Sequence, residues 1–264
     1  MNALSASPAQ EEAKTVAESQ NWIPHQFDRT KGARWFDETY GEDVIVMGQG
    51  GIGSWLSLLL SRIGCTLHTF DMDRYEVHNM TGQLVRAKDV GKLKTIAVAE
   101  IVREFNNSAD IYTNGQFEAD SFVHSIMFAA FDTMASRKLA FNSWKDHLRN
   151  SMDSMEREIA NSFFFQDGRL LAEQFMIFNI PGNRPDLIAK YEKEHLFDDS
   201  EVADVDCTFK QTSHCAAMIA SHMVGFFTNW VVNRMTNDPT ATRLPFYFEY
   251  VIPFNMTMEN YANT

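Results

Sequence analysis

The run Gly48-Gln49-Gly50-Gly51-Ile52-Gly53 constrains the fold more than any other feature of this 264-residue chain. Ahead of it stands Asp43 to Met47 (DVIVM), a β-branched run that reads as a buried parallel strand. Behind it, Ile52 to Ile63 carries Leu and Ile on a helical period and stops at Gly64. Glycines at a strand-to-helix junction let the backbone turn tightly and approach a phosphate, where the helix N-terminus offers free N–H groups and partial positive charge. Gly48, Gly50, Gly51 and Gly53 are therefore candidate phosphate-binding residues. Asp71 closes the next β-like run, Thr66 to Phe70, 18 residues after Gly53. An acid at that spacing can accept hydrogen bonds from ribose hydroxyls, or it can simply cap a loop.

The alternation continues. A helix is expected from about Val90 to Phe105, strands over Ile111–Thr113 and His124–Phe131, the latter ending at Asp132, and a helix over Ala135–Leu148. This βαβαβ rhythm predicts an α/β fold: a doubly wound, mostly parallel, Rossmann-like sheet. The second half reads as an elaboration sharing that sheet. Ser162–Gln166 and Leu170–Ile180 are expected strands around an Asp167-Gly168 turn. Pro181 to Asp206 is expected as a long polar crossover with one short helix, Gln211–Asn233 as a buried helix, and Leu244–Ile252 as the last strand. The organisation expected is a flexible tail over residues 1–20 and one domain over 21–264, with a nucleotide-binding half at about 40–150 and a substrate and dimer half at about 151–264.

Charge and cysteine content narrow the function. With 23 Lys and Arg against 35 Asp and Glu, the formal charge is -12, and no basic run offsets it, so nucleic acid is not an expected partner. The apolar stretch Ala216 to Val232 is broken by Ser221, His222, Thr228 and Asn229, reading as a core helix and not a membrane span. Cys65, Cys207 and Cys215 form no CxxC pair, so neither a disulfide framework nor a cysteine zinc site is expected. The first 20 residues lack a basic segment followed by an apolar one, and a cytoplasmic location is expected.

Beyond the glycine turn come Asp71-Met72-Asp73, then Asn79 and Gln83, then Val90-Gly91 with Lys94, and finally Asp132 with Arg137. In order and spacing, over about residues 25–140, this set resembles the ThiF/MoeB-type adenylyltransferases, the family that includes ubiquitin-activating enzymes. An element similar to Asp167-Gly168-Arg169 with Glu173 occurs in phage and bacterial relatives. The resemblance implies an ATP-dependent enzyme: the C-terminal carboxylate of a small ubiquitin-like or sulfur-carrier protein, or of a peptide, attacks the α-phosphorus of ATP and pyrophosphate leaves. It implies a homodimer, and it implies Asp71, Asp73, Asn79, Gln83 and Lys94 as nucleotide-binding residues, with Lys94 on the phosphates. It implies Asp132 as a Mg²⁺ ligand; the residue type agrees, since hard oxygen donors suit Mg²⁺. The alternative for Asp132 is the N-cap of the following helix, and for Lys94 a solvated helix lysine. An arginine ahead of the turn is implied on the triphosphate: Arg29 in Phe27-Asp28-Arg29, with Arg34 as the competing choice. Gly82 stands where the family carries an arginine, and Arg86 is the nearest residue that could reach back to replace it.

Cys207-Thr208 resembles the pair in activating enzymes whose cysteine accepts the acyl group as a thioester, although Asp204 and Asp206 would raise its pKa; the alternative is a small buried hydrophobe. Cys215 reads as core, and His214 and His222 as packed or surface side chains. Asp167, Arg169 and Glu173 either guide a substrate tail or pair internally. Phe163–Phe165, Phe175 and Phe178 are expected in the core or a dimer interface. Two other functions stay open: a nucleotide-binding scaffold that has lost activity, with Gly82 as a sign of loss, and an NAD(P)-dependent oxidoreductase using the same turn, which leaves Asn79, Gln83, Lys94 and Asp132 without a purpose.

Overall fold

A computed structural model describes residues 25–154, 157–197 and 211–261. The chain divides into two compact units, Met1–Ala33 and Arg34–Thr264. In the first, a 3-10 turn over His25–Phe27 is followed by the exposed Asp28, which pairs with Lys31 at 2.8 Å.

The second unit is built on one eight-stranded sheet. Its strands are β1 (Asp43–Met47), β2 (Thr66–Phe70), β3 (Ile111–Asn114), β4 (Ile126–Ala129), β5 (Phe164–Leu171), β6 (Gln174–Pro181), β7 (Tyr247–Val251) and β8 (Met256–Asn260). Their order across the sheet is β3-β2-β1-β4-β5-β6-β7-β8. The pairings from β3 to β5 are parallel and those from β5 to β8 antiparallel. The helices are α1 (Phe36–Thr39), α2 (Gly51–Arg62), α3 (Lys94–Phe105), α4 (Met134–Ser154), α5 (Pro185–Glu194) and α6 (Ser213–Thr236).

Strand alternation sends side chains to two cores. Val44 and Val46 of β1 join Leu56 and Leu60 of α2, Val98 and Val102 of α3, and Ile219, Met223 and Phe227 of α6 on one face. Ile45 and Met47 face the other way, among Phe141 and Trp144 of α4, Leu187 and Tyr191 of α5, and Phe163, Phe165 and Phe178. Strands β1 and β4 are buried on both sides, which is why they read as near-continuous apolar runs. Helix α6 is long and apolar enough to cross a membrane, but half of its apolar window is buried inside the protein, where it covers α2 and the sheet.

The structure departs from the sequence expectation in three places. Asp167-Gly168 is no turn: β5 runs straight through it, and the hairpin turns at Ala172, which adopts φ 55°. Gly168 is required instead by packing, since a Cβ there would lie 2.7 Å from Met223 Sδ on α6. Helix α3 starts at Lys94 and not near Val90, because Gly91 takes φ 91°. A further strand, β8, follows β7 after a reversal at Asn255 (φ 47°). The tail over residues 1–20 and the residues of the crossover from 198 to 210, Cys207 included, lie outside the described residues.

Candidate functional site

The parallel strands β1, β2 and β4 deliver their C-terminal ends to one rim of the sheet, where the glycine turn bridges β1 and α2. Gly48 needs its left-handed backbone (φ 84°), and it abuts the β4 exit: a Cβ on it would lie 2.7 Å from the Ala130 carbonyl oxygen. A Cβ on Gly53 would collide with the Gly48 carbonyl, so the helix can start this close to the turn only with glycine there.

The turn is braced from several sides. The Gln49 N–H donates to Asp71 Oδ2 at 2.6 Å, and the Asp73 N–H donates to Asp71 Oδ1 at 2.8 Å. Asp71 therefore ties the end of β2 to the turn with both oxygens, leaving their second lone pairs for a ligand. Burial pushes its carboxyl above the ordinary value, with Lys94 and the two N–H donors pulling the other way. The Gln49 side chain is fully buried; its amide donates to Val46 O, and Ser57 Oγ donates to its Oε1 at 2.9 Å. Tyr75 Oη donates to Gln49 O, and Ser54 Oγ donates to Gly50 O at 2.6 Å while accepting from the Leu84 N–H. Gln49, Ser54 and Tyr75 are absent from the expected site, because their work is done through backbone carbonyls and no side-chain pattern advertises it.

Lys94, the first residue of α3, is 11 % exposed at its side chain, and its Nζ donates to Asp73 Oδ2 at 2.9 Å. It is a nearly buried ammonium aimed by an acid, so the reading of a solvated helix lysine does not hold. Asn79 is committed locally: its Oδ1 accepts from the Glu76 N–H at 2.8 Å, in a reciprocal cap that shapes the 3-10 turn Val77–Thr81. Gln83 sits against the turn, its Nε2 3.9 Å from where a Gly50 Cβ would be, and its Oε1 is buried without a hydrogen-bond partner. Such an atom calls for a donor that the described protein residues do not supply.

Asp132 lies two residues past Ala130, exposed, and accepts no hydrogen bond among the described residues. It is not the N-cap of α4. That role falls to Thr133, whose Oγ1 accepts from the Ser136 N–H at 3.3 Å and whose carbonyl accepts from the Arg137 N–H. An open carboxylate on the rim fits a hard cation such as Mg²⁺. Arg137 is buried beneath it, donating to the Phe131 carbonyl, to Asp167 and to Gly168 O at 3.1 Å, and so holds the segment that carries Asp132.

Arg86 does not reach back. Its guanidinium is taken by Asp89 at 2.5 and 3.0 Å, by Glu100 at 3.0 Å and by Glu104. The space beside Gly82 belongs to Gln211, whose side chain would contact a Cβ on either Gly82 or Gly51. Gln211, two residues ahead of α6 and bridged to Ala172, is a second-half residue that lies against the turn. Arg29 belongs to the Met1–Ala33 unit; Arg34 is exposed just ahead of α1.

Asp167 and Arg169 pair internally. Asp167 is fully buried, held by Arg137, by Arg169 Nε at 2.7 Å and by the Tyr191 hydroxyl at 2.8 Å. Glu173 faces His214 at 3.2 Å, and His222 stacks on Phe248. Cys65 and Cys215 are buried free thiols, and burial pushes Cys215 up to about 12, far from a reactive thiolate.

The family model that matches this chain is the ThiF family, over residues 39–143, which runs from the end of α1 through the glycine turn, Lys94 and Asp132 into α4. Residues 39–143 are thus similar to the ThiF family. The chain is 36% identical over 80 residues to ubiquitin-like modifier-activating enzyme 5 of Dictyostelium discoideum; the match covers 30% of this chain and only 19% of that protein. Among solved structures, E. coli MccB with MccA-N7isoASN superposes at a TM-score of 0.66 with 16% identity, covering 92% of this chain and 74% of that one. E. coli MccB with ATP gives 0.63 and 14% over 92% and 73%, and PaaA gives 0.59 and 15% over 86% and 75%. The ThiF-type fold thus extends past the matched segment to nearly the whole described chain, the antiparallel half included.

Proposed function

We propose that this chain is an ATP-dependent adenylyltransferase that activates the terminal carboxylate of a peptide or small protein as an acyl-adenylate. The observation that carries the reading is Asp132: an exposed carboxylate relieved of capping by Thr133, one short segment from the glycine turn and braced from below by Arg137. A dinucleotide oxidoreductase has no use for that acid or for Lys94, which Asp73 aims. A ubiquitin-like or sulfur-carrier protein is one substrate class, in keeping with the similarity to the Dictyostelium activating enzyme; a peptide is the other, in keeping with the fold shared with MccB.

In this reading the turn's N–H groups and Lys94 take the phosphates. Attack by an anion on a phosphorus flanked by anions needs that charge neutralised in a preorganised site. Asp132 would hold Mg²⁺, which supplies further neutralisation on the phosphate oxygens. Gln83 Oε1 and the free lone pairs of Asp71 accept from the nucleoside, and Asp73 keeps Lys94 aimed. Arg29 would add a guanidinium to the triphosphate, from its own chain or from the other subunit of a homodimer. Cys207 would take the acyl group if transfer follows. A cytoplasmic setting suits free thiols.

ATP–pyrophosphate exchange tests the proposal: the chain, Mg²⁺ and a carrier protein or peptide with a free C-terminus should return label from pyrophosphate into ATP. A specific feature favours a second reading, a nucleotide-binding scaffold. With Gly82 in place of an arginine, Arg86 spent on three acids and Gln211 against the turn, phosphate charge is met by fewer cations. ATP·Mg²⁺ raising the melting temperature with no exchange for any carboxylate would favour the scaffold; stabilisation by NAD(P) and not by ATP would remove both.

A further inference from the structure

A second cluster of chemistry-bearing side chains sits on the sheet away from the glycine rim. Asp43 opens β1, His68 is the third residue of β2, and His124 stands two residues before β4. His68 Nε2 and Asp43 Oδ1 are 2.8 Å apart, and the His68 and His124 rings lie 4.7 Å apart at their centroids. One ligand atom from each of the three residues can be chosen so that all lie within 4.8 Å of one another. We infer that Asp43, His68 and His124 form a binding site for a divalent transition-metal ion of the zinc class.

The spacing of the three side chains is close to that of a coordination shell. Metal bonds of about 2.0–2.1 Å place neighbouring ligands roughly 3.0–3.4 Å apart, so the His68–Asp43 pair already spans one edge of a coordination shell. His124 needs a shift on the order of 1 Å to close the other edges. The rings are held for that purpose. Tyr112 stacks on His68 at 5.0 Å and 16°, and Phe122 sets its edge against both His68 and His124, at 5.3 and 5.7 Å. The Asp43 side chain is 50% exposed and that of His68 17%, so solvent can complete the shell.

The donor set selects the ion. Two imidazoles and one carboxylate suit Zn²⁺, Co²⁺ or Ni²⁺, whereas Mg²⁺ and Ca²⁺ require oxygen. The missing CxxC pairs do not bear on this site, whose ligands are of another kind and come from three separate stretches of sequence. An ion there would clip together β1, β2 and the segment entering β4, and would stabilise the fold by mass action. The inference is independent of the adenylation reading, and its test measures no catalysis.

The experiment is titration of the chelator-stripped full chain with Zn²⁺ and with Co²⁺, in excess Mg²⁺ to occupy carboxylate-only sites. One ion per chain is expected, with visible d–d bands for Co²⁺ and a Zn²⁺-dependent rise in melting temperature. His68→Gln and His124→Gln should each weaken Zn²⁺ binding by about 100-fold or more and abolish the thermal shift. Asp43→Asn, at an exposed position that tolerates change, should weaken it by about 10-fold while the metal-free melting temperature stays put. His214→Gln, which alters a different histidine–acid pair, that with Glu173, should change nothing. Failure of the wild type to take up one ion, or equal uptake by the His68→Gln/His124→Gln double variant, would overturn the site.

Discussion

Asp132 and Gly53 show how one rim can hold residues of opposite kinds, one required by chemistry and one by backbone. The Asp132 side chain is exposed and has no hydrogen bond or ion pair among the described residues, so Asp132→Asn should leave stability within about 0.5 kcal/mol of wild type. Exchange activity should fall by about 100-fold or more, since a charge placed for the transition state is lost. Parallel melting curves and pyrophosphate-exchange rates check the pair; retained exchange would remove Asp132 from the machinery. Gly53→Ala should do the reverse. Its Cβ meets the Gly48 carbonyl, which is backbone and cannot swing aside, so α2 must pull away from the turn. A loss of about 3 kcal/mol is expected in urea unfolding, accompanied by loss of ATP binding. At this scale the sequence was informative where residue type alone carries the chemistry: the four glycines, Asp71, Asp73, Lys94 and Asp132 all come to one rim. It was silent on Gln49, Ser54, Tyr75 and Gln211, whose roles depend on which backbone carbonyl or glycine they meet. It also overstated Arg86, because the nearby acids Asp89, Glu100 and Glu104 claim that guanidinium first.

Among the elements, β5 is pinned to α4 and α5 by one buried acid. Burial alone would raise the pKa of Asp167, but Arg137, Arg169 and the Tyr191 hydroxyl outweigh it and hold the carboxyl below the ordinary 3.8. A carboxyl lowered in the folded state contributes stability that is complete above its unfolded value and is lost as pH falls through the folded one. Asp167→Asn removes the charge and strands two guanidiniums, one of them nearly as buried, at a cost of about 3–5 kcal/mol near neutral pH. The gap in melting temperature between wild type and variant should therefore be widest above pH 4 and narrow below about 3.8; a gap unchanged down to pH 2 would show that the charge is not what matters. The same acid explains why the sequence misleads here. Asp-Gly is a strong turn signal in isolation, yet Asp167 is neutralised by partners from residues 137, 169 and 191, and Gly168 makes room for Met223. Both reasons are tertiary. Strand β1 matches its expected limits because two-sided burial writes an apolar run into the sequence, whereas β8 is exposed along its whole length and leaves no such trace.

The whole molecule does not divide where the family match does. The segment 39–143 ends inside α4, but the core it helps to build is completed from the other half. Ile219, Met223, Phe227, Trp230 and Val231 of α6 share the first core with α2, and Trp230 stacks on Phe164 of β5 at 4.8 Å and 16°. At about 2 kcal/mol for each large apolar side chain buried, those five contribute roughly 10 kcal/mol, as much as the net stability of a typical domain. β4 in turn pairs with β5 along Ile126–Ala129, so cutting the chain between them bares a hydrophobic strand edge as well. A fragment of residues 34–154 should therefore keep helical signal without a cooperative melt, and should aggregate at concentrations where the full chain stays dispersed. The full chain should lose its far-ultraviolet circular dichroism and its tryptophan fluorescence in one coincident transition. Cooperative melting of the fragment would mean that the glycine rim can be built without α6, and the contact of Gln211 with Gly51 and Gly82 would then be a later addition to a self-sufficient nucleotide-binding half.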